Sequence, residues 1–256
     1  LTTHIDELRI LLDENPIDIL AINETKLDQL VLDNEVYLQG YEIVRRDRTN
    51  DGGGGVCFYI RSGINYSYRC DFNIPELENL CIEVNKPHSK PFLVVTWYRP
   101  PNAPVSIFEH FETFIGKLDA MNVEYYLLGD VNCDQLSLSQ DNNTRIINNI
   151  SDIYGLSQLI KEPTRITNNT ETLLDVIYTN RPDRTVCSGV SHIGISDHSL
   201  VYAYRKLSVD PPNRGHSTII YRKFKHFNSA EFRADIAMQA WSSIDCHNDP
   251  NVMWAK

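Results

Sequence analysis

Several apolar runs in this chain finish on a side chain that could do chemistry. Residues 124–132, EYYLLGDVN, are the clearest case: a run of β-formers is closed by Gly129, and Asp130 and Asn132 follow at once. Glu24 follows the run DILAIN, Tyr98 ends PFLVVTWY, Asp175 sits inside LLDVIY, and Asp197 and His198 stand together in ISDHSLV. A short apolar run stopped by Gly reads as a buried strand. In layered α/β proteins, sites are built at the carboxyl ends of strands. Glu24, Asp130, Asn132, Asp175 and Asp197 are hard oxygen donors of the kind Mg²⁺ takes alongside water and phosphate oxygens. Mn²⁺ suits the same donors. His198 can hold a charge or a proton near neutral pH. A metal that neutralises phosphate charge, a carboxylate that positions or deprotonates water, and an imidazole that stabilises phosphoryl oxygens are the parts of phosphodiester hydrolysis.

Each residue also has a bland reading. A lone Asp after a strand is ordinarily a turn or cap residue. His4, His88, His110, His216, His226 and His247 have no company of this kind and read as surface or satisfied core histidines. Asp175 is different, because a carboxylate within an apolar strand is costly unless paired. A structural salt bridge would satisfy it. So would a bond that orients His198, and the neighbouring site candidates favour the second.

The elements that must position these groups follow from periodicity. Ile5, Leu8, Leu11 and Leu12 predict an amphipathic helix over 3–14, stopped near Pro16. A strand is expected over 17–22, a hairpin from 41–48 and 56–61, and a second hairpin from 79–84 and 91–98. Ile107, Phe108, Phe111, Phe114, Ile115 and Leu118 predict a helix over 105–121, and Ile146, Ile147, Ile150, Ile153 and Tyr154 one over 143–154, ended by Gly155. Short strands are expected at 156–160, 173–179, 186–190 and 199–205. The first hairpin is joined by TNDGGGG. This run lacks the Gly-Lys-Ser/Thr ending of a phosphate loop and leads into a strand, so it reads as a flexible hairpin tip. It and the 164–172 loop are the places to look for substrate contacts. Hairpins imply mostly antiparallel sheet. The expected fold is α+β: a four-layer α/β sandwich with two mostly antiparallel packed sheets flanked by helices.

A chain of 256 residues has room for one large domain. The Pro-Pro and Gly within 207–218 mark a linker, so the expected division is a domain at 1–206 and a linker with a helical tail at 207–256. That tail opens with the basic residues Arg222, Lys223 and Lys225 and then reads as a helix from 229 to 241. A net charge of -10 argues against tight, non-specific nucleic-acid binding, which rests on Lys and Arg, but leaves room for a local basic patch beside a metal. The cysteines include no CxxC pair, so they read as reduced thiols rather than a zinc cluster. No apolar run reaches membrane-spanning length and no signal-peptide pattern opens the chain. A nuclear or cytoplasmic setting is expected. The opening LTTHIDELRI has no Met and reads as the start of a fragment of something longer.

The order of these motifs resembles the endonuclease/exonuclease/phosphatase superfamily, the DNase I-like fold, from Leu1 to about Lys206. The wording INETKL, YRPPN, LLGDVN, LLDVIYTN and ISDHSLV is most similar to the apurinic/apyrimidinic-type endonuclease domain of non-LTR retrotransposons. The tail RKFKHFNSAEF resembles the segment that leads toward a reverse transcriptase. The resemblance implies that Glu24 is a Mg²⁺ ligand and that Asp197 lies on the metal side. It implies that Tyr98, with Arg99, contacts the scissile phosphate. Asp130 would activate the attacking water, with Asn132 helping to hold it, and Asp175 would orient His198 toward the phosphate. Ser196 and Thr164 would be phosphate contacts. One departure follows: the family begins with a strand ending in an Asn that joins Glu in the metal site. Here that Asn would fall before Leu1, so the sheet is expected to lack its first strand. The reading is therefore a Mg²⁺-dependent DNA-nicking endonuclease that leaves a 3′-hydroxyl for reverse transcription. Its competitors are a phosphatase or phosphodiesterase acting on lipid, inositol phosphate or RNA, and an inactive relic or binding module, since fold and site alone do not settle substrate.

Overall fold

A computed structural model describes residues 1–48, 53–86, 89–137, 139, 141–206, 228–239 and 241. They fall into two compact units, Leu1–Val209 and Asp210–Lys256. In the first unit, helix α1 (Ile5–Glu14) buries Leu8 and Leu12. It stops where the Asn15 side chain bonds back to the Leu11 carbonyl, one residue before Pro16. Strands β1 (Ile19–Asn23), β2 (Tyr41–Arg46) and β3 (Val56–Arg61) form an antiparallel sheet in the order β1-β3-β2.

The larger sheet begins with β4 (Tyr66–Tyr68), β5 (Glu78–Val84), β6 (Phe92–Tyr98) and β7 (Glu124–Asp130), and continues with β8 (Ser157–Gln158). Two short strands, β9 (Arg165–Ile166) and β10 (Glu171–Thr172), make a small ribbon of their own. Strand β11 (Asp175–Thr179) then returns to the larger sheet, whose order is β4-β5-β6-β7-β11-β8. Strands β12 (Thr185–Ser191) and β13 (Leu200–Arg205) pair with each other. Every pairing is antiparallel except that of β6 with β7. Parallel neighbours need a long crossover, and helix α2 (Ile107–Ala120) supplies it. Helix α3 (Asn142–Ile153) starts at Asp141, whose side chain accepts from the Thr144 N–H at 2.7 Å.

Burial explains the layers. Along β3, Val56, Phe58 and Ile60 pack against Leu80, Ile82 and Val84 of β5, which is the core between the two sheets. The alternate residues Cys57 and Tyr59 face the other way and meet Leu8, Leu12 and Leu20 beneath α1. On the far side of the larger sheet, Cys81, Val95 and Trp97 pack with Phe111, Phe114 and Leu118 of α2 and Ile147 and Ile150 of α3. Helix, sheet, sheet and helices therefore form the four layers expected. Three details differ. The strand expected over 156–160 shrinks to β8, the short strands β4, β9 and β10 carry too little periodicity to have been seen, and Ile153 is 68% exposed in the last turn of α3.

Among the described cysteines, Cys57, Cys81 and Cys133 are buried, Cys70 and Cys187 are exposed, and all are free thiols. No helix among the described residues is long and apolar enough to cross a membrane. In the second unit, helix α4 (Ser229–Met238) is capped by Asn228, whose side chain accepts from the Ala230 N–H at 3.0 Å. The linker at 207–218 and the basic residues Arg222, Lys223 and Lys225 lie outside the described residues.

Phe114 is fully buried and meets Phe72 edge to face, with ring centroids 6.3 Å apart. Phe114→Ala is expected to cost about 3–5 kcal/mol, read as a lower urea midpoint with an unchanged slope.

Candidate active site

Strands β6 and β7 run parallel, so both finish at the same edge of the larger sheet. Strand β11 runs the other way and starts at that edge, in a register that sets Asp175 opposite Asp130. An isolated bridge between Arg165 and His198 brings the start of β13 to the same place. The His198 Nδ1 lies 2.8 Å from the Asp175 Oδ2. A carboxylate there requires the proton on Nδ1, which leaves Nε2 for a substrate. The Asp175 bond raises the His198 pKa above its ordinary value, against the pull of its partial burial.

Asp130 is only 7% exposed. Its Oδ1 accepts the Asn132 N–H at 2.9 Å and its Oδ2 the Asn132 side-chain amide at 3.0 Å. Burial, and then the charge of Asp175, push the Asp130 carboxyl up to about 7, although the Asn132 bond and His198 oppose them. That value suits a general base working near neutral pH. Local backbone makes the geometry possible. Gly129 has φ +147°, and a Cβ there would come within 2.1 Å of the Trp97 carbonyl oxygen. Asn132 sits at φ +47°, a left-handed conformation that Asn tolerates.

Glu24 stands across the mouth at φ +52°. Its carboxylate accepts the Tyr98 hydroxyl and lies 3.8 Å from the Lys26 ammonium. Burial and the Glu24 bond raise the Tyr98 pKa, which keeps the hydroxyl a donor. The negative charge of Glu24 also acts on Asp130. The Gly-rich segment is close by: the Lys26 and Thr25 N–H groups bond to the Gly54 and Gly55 carbonyls at 2.9 and 3.2 Å. Glu78, held by Arg48, accepts the Gly55 N–H at 2.8 Å.

The structure thus gathers Glu24, Tyr98, Asp130, Asn132, Asp175 and His198 at one edge. Other expected site residues are placed differently. Arg99 is fully buried, lies over the Phe108 ring and donates to the Ala103 carbonyl at 3.3 Å. It has no surface to offer a phosphate and serves packing instead. Thr164 is also fully buried. Its hydroxyl accepts the N–H groups of Leu174 and Asp175, each at 3.1 Å, so it braces the strand that carries Asp175 rather than touching phosphate. Asp197 is exposed and its Oδ2 is bound by Arg165 at 2.8 and 2.7 Å. Burial alone would raise the Asp197 pKa, but Arg165 and His198 outweigh it and hold it low. Ser196 is exposed, and its hydroxyl accepts the His198 N–H and donates to the His198 carbonyl, both at 3.0 Å. Asn23 and Arg165 also stand at this edge, outside the set expected from the sequence. Asn23 sits at a strand end like Asp130, which was a usable signal; nothing local marks Arg165.

The donor chemistry fits a divalent cation. Asp130, Asp175 and His198 each offer a ligand atom, all within 4.8 Å of one another. Two carboxylates in that space leave negative charge that a cation would offset. Glu24 and Asp197, expected from the resemblance to bind the metal, lie outside this group, and Asp197 already has Arg165 as its counter-ion.

Two packed sheets with carboxylates and a histidine at their shared edge define a DNase I-like hydrolase fold. The sequence profile of the Endonuclease/Exonuclease/phosphatase family matches residues 1–198, and the chain belongs to that family. No curated protein sequence matches it. Among solved structures it is similar to the endonuclease domain of TRAS1, a telomere-specific non-LTR retrotransposon, at 15% identity and TM-score 0.64, over 80% of this chain and 93% of that one. It is similar to the AP endonuclease LMAP of Leishmania major at 13% identity and TM-score 0.68, over 81% and 84% of the two chains. The 3′ phosphatase NExo of Neisseria, bound to product DNA hairpin, aligns at 16% identity and TM-score 0.56, over 80% of this chain and 95% of that one. At these identities the likeness shows the fold.

Thr164→Val keeps the shape but strands two backbone N–H groups, and is expected to cost about 2–4 kcal/mol. Thr164→Ser keeps the hydroxyl and should cost only about 1 kcal/mol for the lost methyl. Equal losses from the two, in urea titrations, would contradict the bracing role.

Proposed function

We propose that the chain is a Mg²⁺-dependent endonuclease that nicks DNA, drawn from a non-LTR retrotransposon, and that the 3′-hydroxyl it leaves primes reverse transcription. The observation that carries this is the Asp130–Asp175–His198 cluster, braced by Asn132 and faced by Glu24 and Tyr98, within a chain of this family. The retrotransposon-like wording of the motifs supports the choice of DNA, as does the likeness to the TRAS1 endonuclease fold. Residues 1–206 are the nuclease in this reading. Residues 207–256 are the link toward a reverse transcriptase domain, and the setting is nuclear or cytoplasmic.

The residues divide the work. Asp130, poised near neutral pH, takes a proton from the attacking water, and Asn132 holds the Asp130 carboxylate in place. His198, aimed by Asp175, whose bond favours its protonated form, stabilises the phosphoryl oxygens from Nε2. The Tyr98 hydroxyl adds a donor beside Glu24. Ser196 is exposed next to His198, where it can reach a phosphate oxygen. A Mg²⁺ ion would be held from the Glu24 side of the mouth and would supply charge neutralisation and a Lewis acid. Lys26, Arg48 and Arg165 place positive charge around the mouth of a chain whose net charge is -10, each beside a carboxylate.

The test is a nicking assay on supercoiled plasmid. The expected result is an open circle whose 3′ end a polymerase can extend, formed in Mg²⁺ and stopped by chelator. Asp130→Ala and His198→Ala should each slow it by about 10²–10⁴-fold. A folded chain that spares plasmid but releases phosphate from inositol phosphate or a 3′-phosphorylated strand would move the substrate class. A folded chain that does neither sinks the enzyme reading.

A further inference from the structure

Backbone pairing between β6 and β7 runs from Phe92–Glu124 to Thr96–Leu128 and stops there. Beyond it, Gly129 at φ +147° turns the chain, so the Asp130 N–H leaves the parallel ladder just where the catalytic carboxylate must be aimed. That N–H is taken by a side chain from the other sheet: the Asn23 Oδ1 accepts it at 2.8 Å. The same amide donates through Nδ2 to the Thr96 hydroxyl at 2.8 Å. Asn23 ends β1 and Thr96 is fully buried on β6, so one side chain ties three strands in two sheets. Gly129 makes room for it, since a Cβ at that position would also come within 2.8 Å of the Asn23 Oδ1. Glu24 is the next residue after Asn23. The amide therefore links the segment that carries Glu24 directly to the backbone that carries Asp130.

We propose that Asn23 is a positioning residue for the hydrolytic reaction: it sets the backbone of Asp130 and the spacing between Asp130 and Glu24, with Thr96 fixing the orientation of its amide. The activity arm of this inference rests on the nuclease reading above. Asn23 contacts no reacting atom in this assignment. Its effect reaches the site through the Asp130 N–H, while the Asp130 carbonyl is held from the other side by the Arg99 N–H at 2.9 Å. A hydrogen bond that orients a group of the site is commonly worth 10–100-fold in function when removed.

The experiment compares Asn23→Ala, Thr96→Val, their double variant and Thr96→Ser in the full chain. Two readouts are used. The first is steady-state nicking of a DNA duplex in Mg²⁺. The second is amide hydrogen exchange at Asp130 by NMR, in metal-free protein. Asn23→Ala and Thr96→Val should each lower kcat by about 10–100-fold with KM within about threefold. The double variant should be no worse than the stronger single, because both remove the same constraint. Thr96→Ser should keep kcat, and Asp130 exchange should quicken in Asn23→Ala, Thr96→Val and their double variant but not in Thr96→Ser. Folded variants with wild-type kcat, losses that multiply in the double variant, or unchanged Asp130 exchange would each overturn the assignment. If Asn23→Ala does not fold, Thr96→Val against Thr96→Ser decides it. If the wild type does not nick DNA, the nuclease reading fails, and Asp130 exchange still tests the clamp.

Discussion

The register of β11 against β7 places two carboxylates, Asp175 and Asp130, opposite each other where water is scarce. Like charges so placed disfavour one another, and desolvation adds to the cost. The surrounding residues offset this in a definite order. His198 meets Asp175 with a hydrogen bond at 2.8 Å, and Asn132 gives its backbone N–H and a side-chain N–H to Asp130 while its amide also holds the Arg99 carbonyl. What is left raises Asp130 to about 7. A group whose proton is loosely held beside an imidazole fixed by a carboxylate is suited to moving protons at a phosphate.

The sandwich is what permits this arrangement. The site needs groups from β1 in one sheet and from β6, β7 and β11 in the other, and the sheets meet through an apolar core of Val56, Phe58, Ile60, Leu80, Ile82 and Val84. That core sets a spacing of about 10 Å between sheet planes, which side chains at the strand ends can bridge. Tyr98 to Glu24 and Asn23 to Asp130 are two such bridges. Placing them at the sheet edge, past the end of regular pairing, leaves the functional groups open on one side while their backbones stay held.

Likeness to solved nucleases at 13–16% identity, with TM-scores of 0.56–0.68, shows how little of the sequence this architecture requires. Burial patterns can be met by many apolar residues. Strand ends cannot be met so freely, because a Gly at 129 and an Asn at 132 answer backbone conformations that few residues adopt. This explains why the strand ends were the legible part of the sequence and why the short strands β4, β9 and β10 were not. With two or three residues each, they have no periodicity to read.

By itself the sequence determined the layers and the identity of the chemical groups. Apolar period marks each long helix and strand, and Asp, Asn, His and Glu at strand ends announce their chemistry whatever surrounds them. Only the tertiary structure decided where those groups point and what they touch. Arg99 and Thr164 lie among site motifs in the chain, yet one turns inward over Phe108 and the other braces the backbone of Asp175. Asp197 stands next to His198 but is bound by Arg165, thirty-two positions away in the sequence. Asn23 reaches Asp130 across 107 positions. Hydrogen bonds are directional and depend on distances of a few tenths of an ångström. Such distances are set by packing between sheets, and no local stretch of sequence contains them.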